Sequence, residues 1–165
     1  MSFMDVINSI EDSDEFKDFI RKNPHYYLVH VFRIIDNDVS SNWQIGYYSK
    51  DTDKIVVFEY NNDLVMMHHP EDALKKEEYI SKLEFRDFKI SEDDASRICE
   101  DILNEKYPKE LSNKKIFLLQ NLPEYGNVWN VTIVTLAFSI INVKIEADSG
   151  MVLKHSKENL MEWNR

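Results

Sequence analysis

The sequence predicts an α+β fold of two tandem units, each a helix followed by a four-stranded antiparallel sheet, in one compact body. Three observations carry this. Each of two capped, amphipathic segments precedes a block of β-branched and aromatic runs. The connections within each block are too short for parallel crossovers, so neighbouring strands must run antiparallel. The blocks also match at one constant spacing, seen in the pairs Trp43/Trp129, Ile55/Ile141, Val57/Val143, His69/His155 and Leu74/Leu160. Such spacing points to an internal duplication. A sheet with one helix covers only one of its faces, and two copies together finish the burial.

The first helix begins near Ser13, shows Phe16, Phe19 and Ile20 on one side, and stops at Asn23-Pro24. Strands then follow over residues 26–35, 43–49, 54–60 and 64–68, separated by Asp36-Asn37-Asp38, Asp51-Thr52-Asp53 and Asn61-Asn62-Asp63. A further helical stretch is expected from Pro70 to about Lys82, with proline in a tolerated first turn and strong helix formers behind it. The best helix spans residues 91–107. Ser91 caps it, Glu92, Asp93 and Asp94 suit the dipole, and Ala95, Ile98, Cys99, Ile102 and Leu103 form one apolar stripe ahead of Pro108. Strands are expected at 115–122, 128–135, 138–147 and 151–155. The domain reading is therefore a first helix-and-sheet unit at 1–70, a linking helix and connector at 71–90, and a second unit at 91–165.

The chain has 165 residues, of which 43% are hydrophobic and 12% aromatic, so it can bury a core and is not a disordered segment. Thirty acidic against 20 basic residues give a formal charge of −10, which repels phosphate backbones and anionic lipid. Nucleic acid and membranes are accordingly not expected partners. The first residues show neither a basic n-region nor a long apolar run, and ENLMEWNR shows no lipidation motif. A cytoplasmic location is the resulting expectation.

The candidate chemistry is sparse. His68-His69-Pro70-Glu71-Asp72, with His155, offers imidazoles and carboxylates for a metal. Adjacent strand residues point to opposite faces, however, and a strand end leading into a proline-started helix explains the same five residues. Cys99 lies on an apolar stripe beside Glu100 and Asp101, the setting of a buried thiol and not of a nucleophile. No phosphate loop, dinucleotide fingerprint, G-x-S-x-G or H-E-x-x-H occurs. The expectation is no catalytic set, no metal site and no cofactor.

Aromatic residues crowd the first block: Tyr26, Tyr27, Phe32, Trp43, Tyr47, Tyr48, Phe58 and Tyr60. Alternation sends Tyr47 and Tyr48 to opposite faces, so one face could stay aromatic and partly open as a binding surface. The candidate binding residues are Trp43, Tyr47, Tyr48, Tyr60 and Met66. The plainer account places these rings in the core.

Ile90-Ser91-x-x-x-Ala95, Trp129-x-Val131 and the run Val143-Lys144-Ile145-Glu146-Ala147-Asp148-Ser149-Gly150-Met151-Val152-Leu153 resemble the PepSY domain over about residues 90–155. The last run is similar to that family's closing hairpin, with Glu146 for the usual Asp and Ser149 for the usual Thr. The hairpin itself asks for these types: Gly150 is free to take positive φ, and Ile145 and Ala147 face inward. The first half follows the order more loosely. The resemblance implies a PepSY- or cystatin-like unit, regulation or inhibition of peptidases, and no conserved catalytic group. The leading expectation is thus a non-enzymatic module recognising a protein or peptide, its oligomeric state open. Two rivals stand beside it. One is a small ligand-binding domain or enzyme with a pocket lined by Tyr47 or Tyr48, Trp43 and His30. The other is an acidic, immunity-type inhibitor of a basic protein.

Overall fold

The computed structural model describes residues 1–75, 77–84 and 88–160. The last part of ENLMEWNR, from Met161, and four residues of the 71–90 connector lie outside the described residues. Among the described residues three helices and ten strands make an α+β fold in which every described strand pairing is antiparallel. The chain divides into two compact units: residues 1–32 with 42–83, and residues 33–41 with 84–165.

In the first unit, helix α1 (Phe3–Asp12) is followed directly by α2 (Asp14–Lys22). Ser2 and Asp5 form a reciprocal capping box at the start of α1, and Ser13 caps α2. Helix α1 lies ahead of the start expected near Ser13; its Phe3, Val6, Ile7 and Ile10 recur at helical spacing and are buried. The strands of this unit are β1 (Tyr27–Asp36, as far as Phe32), β3 (Trp43–Ser49), β4 (Lys54–Asn61) and β5 (Leu64–Met67), in that order across the sheet. A two-residue β6 (Glu71–Asp72) also pairs with β4.

The expected helix from Pro70 to Lys82 does not form in the described residues. Glu71 and Asp72 instead form a short strand, paired to Ile55 and Lys54, residues 77–79 bend, and Lys76 lies outside the described residues. Helix propensity alone does not hold a short helix without an apolar face to bury. This segment has none: Leu74 is 97% exposed, while Leu83 is buried where its amide donates to the Leu28 carbonyl at 2.9 Å.

The second unit begins with the hairpin of Arg33–Asp36 and β2 (Val39–Ser40), turned by Asn37 and Asp38 at φ of 48° and 64°. Helix α3 (Glu92–Lys106) carries the Ser91/Asp94 capping box. The strands β7 (Ser112–Leu122), β8 (Gly126–Thr135), β9 (Ser139–Glu146) and β10 (Val152–Asn159) follow as a meander. Trp129 is fully buried and donates its indole N–H to the Ile90 carbonyl at 2.9 Å. Gly150 takes φ of 78° in the closing turn, and Ile145 and Ala147 are buried. The expectation of two four-stranded sheets with one helix each is therefore corrected. Among the described residues there are ten strands, and two helices precede the first block.

Candidate functional site

The strand register of the first unit sorts its side chains onto two faces, because paired antiparallel residues share a face. Trp43 pairs with Tyr60, Ile45 with Phe58, and Tyr47 with Val56. This is the helix-facing side: Phe3 meets Trp43 at 6.5 Å between ring centroids, Phe16 meets Tyr47 at 4.8 Å, and Phe16 and Phe19 both meet Phe58. Tyr48, His30, Gly46, Gln44 and Glu59 belong to the opposite face.

The candidate residues are consequently not brought together. Trp43 (7% exposed) and Tyr47 (2%) fill the helix side, and the Tyr47 hydroxyl donates to Glu11 at 3.0 Å. Tyr48 is buried on the other side, its hydroxyl donating to Asp53 at 2.6 Å. Tyr60 is half-buried and donates to Asp63 at 2.6 Å. Met66 alone stands well out, at 56%. The set suggested for a pocket, Tyr47 or Tyr48, Trp43 and His30, is split across the sheet in the same way. His30 lies against Gly46 with no Cβ between them, and burial lowers its imidazole to about 4, so it is neutral at pH 7.

The polar candidates are each engaged locally. His68 Nε2 is 2.9 Å from Glu59, whose carboxyl is held low by the Asn42 amide and by His68 against the opposing effect of burial. His69 Nδ1 is 2.9 Å from the Pro70 carbonyl, and His155 Nδ1 is 2.8 Å from the Tyr107 hydroxyl. Among the described residues no three His, Cys, Asp or Glu side chains are grouped to hold a metal. Cys99 is buried, and desolvation pushes its thiol up to about 12 against the opposing pull of Lys115.

What the first unit does present is the rim of β5. Leu64 is 73%, Met66 56% and Met67 47% exposed. The Asn62-Asp63 turn, with φ of 48° and 67°, closes Asn61 on Leu64 as a two-residue hairpin. The His68 amide donates to the Val57 carbonyl at 2.8 Å. Counting back by twos, Met66 and Leu64 turn their main-chain groups to β4, and Val65 and Met67 turn theirs off the sheet. Short strand length and Pro70 blunt this edge, but no charge lies on it. At the far edge of the second unit, β10 carries Lys154, Lys157 and Glu158 instead. The rim was legible in principle: the I′ turn fixes the parity of β5, and the apolar tetrad ends at a proline-bounded break.

No helix among the described residues is long and apolar enough to cross a membrane. No known family model matches the chain, and no curated protein does. One solved structure is similar over nearly the whole length: the crystal structure of a "putative lipoprotein" from Clostridium difficile 630, with a TM-score of 0.60 and 17% identity, covering 96% of this chain and 93% of that one. At that identity the likeness shows the α+β fold alone.

Proposed function

We propose that the chain is a non-enzymatic, PepSY-like binding or regulatory module that recognises a protein or peptide by strand addition to β5. The observation that carries this reading is the uncovered, charge-free β5 rim with Leu64, Met66 and Met67 exposed. In strand addition, main-chain hydrogen bonds supply affinity and alternate side chains supply selectivity. The burial of Trp43 and Tyr47 against the helices favours a structural role for most of the aromatic set. The cytoplasmic placement expected from sequence has a rival in the neighbour's description as a lipoprotein, and fractionation of the native host separates the two. Selection of ligands from a random peptide display library, followed by isotherms, tests the function. Binders of about 10 µM or tighter that map to β5 support it. A protein that retains no peptide contradicts it.

A further inference from the structure

Resting on the β5 reading, we infer that the strand added there belongs to a cationic partner: an extended segment alternating apolar residues with Lys or Arg. Between Lys54 and Lys75 the chain has no Lys or Arg, yet it holds Glu59, Asp63, Glu71 and Asp72. This span forms β4, β5 and β6, so the rim is bordered by carboxylates and two histidines. Asp72 is already matched by Lys54 at 2.8 Å. Glu59 has Asn42 and His68 as partners, and Asp63 accepts the Tyr60 hydroxyl, so among the described residues neither is paired with a Lys or Arg. Glu71 is exposed beside them. Helix α2, which packs near β5, does not offset this excess, since Asp14, Glu15 and Asp18 balance Lys17, Arg21 and Lys22.

A guest strand would bond to the outward N–H and C=O groups of Val65 and Met67. By the register, Leu64 and Met66 share a face with Glu59 and Glu71. The guest's cations would lie on that face, with Asp63 at the hairpin turn, and its apolar side chains would lie on the other face beside Val65 and Met67. A second copy of this chain is a poor guest. It would bring the same acidic rim to itself, between bodies of charge −10 each.

The test uses three synthetic blocked hexapeptides, alternating Val with Lys, Ser or Glu, titrated into the isotopically labelled full chain. The Lys peptide should shift the Val65 and Met67 amides and bind at least about tenfold tighter than the Ser peptide at low salt. That advantage should shrink as the screening length falls to about 8 Å at physiological ionic strength. Val65→Pro removes an outward N–H that β4 does not use, and should abolish binding, whereas Val65→Thr should keep it. Asp63→Asn combined with Glu71→Gln leaves the backbone donors intact and should erase the preference for Lys over Ser.

Equal binding of all three peptides at β5 overturns the cationic partner and leaves the β5 reading standing. Shifts confined to β10, or no binding by any peptide, overturn both. Concentration-dependent dimerisation that protects the same two amides overturns the cationic partner in favour of a second copy.

Discussion

Gly46→Ala probes the close approach on which the first unit's sheet depends. A Cβ at this position would come within 3.0 Å of three ring atoms of His30, with Nδ1 at 2.5 Å. The ring belongs to the paired residue of β1, and must rotate off Gly46 or push the strands apart. Overpacking of this kind costs about 1–3 kcal/mol. Taking about 2 kcal/mol, a domain of this length loses about 4–8 °C in Tm. The collision vanishes in a His30→Ala background, where alanine is the better strand residue by about 0.5–1 kcal/mol, so the sign of the substitution reverses. Thermal and urea unfolding of the four proteins of this double-mutant cycle gives the coupling. An equal cost for Gly46→Ala in both backgrounds would refute the reasoning.

Three further outcomes are expected. Burial lowers the folded His30 pKa to about 4, below the ordinary imidazole value of 6.5, so the unfolded chain takes up the proton first. The His30 contribution is full above pH 6.5 and is lost on descending to about 4; His30→Gln should flatten the pH dependence of urea midpoints in that window. Glu92, raised by burial despite Arg33, acts with the opposite sign, so the wild-type-minus-variant difference is the readout. Ser91→Ala removes the cap that accepts the Asp94 amide at 3.1 Å and should cost about 1 kcal/mol in chemical denaturation. Cys99 should resist iodoacetamide in the folded protein at pH 8, as read by intact mass, and react fully once urea unfolds it.

Much of the fold could be read from residues whose local preference and tertiary setting agree. Ser91 and Asp94 cap a helix whose apolar stripe is the buried stripe, and strand β3 runs from Trp43 to Ser49 as the pattern of β-branched and aromatic residues predicts. The Pro70–Lys82 stretch departs from its local preference because alanine, leucine, lysine and glutamate favour helix only when one face can be buried, and Leu74 stands exposed. Helix α1 differs from expectation because its cap, Ser2 with Asp5, lies in the first few residues, ahead of the stronger-looking Ser13 start. The candidate site was less legible. Aromatic content marked Trp43, Tyr47 and Tyr48, but composition cannot tell a filled helix–sheet interface from an open face. Of that set Met66 lies on the rim. The main-chain groups of Val65 and Met67 went unnoticed, because edge status depends on which strands pair and no single strand's sequence encodes it.

Residue-resolved amide exchange on the free protein tests the bare rim most directly. The amides of Leu64 and Met66, bonded into β4, should be protected, while those of Val65 and Met67 exchange as freely as a loop, an alternation within one four-residue strand. Uniform protection of all four amides would mean that the rim is already covered, and would contradict the account.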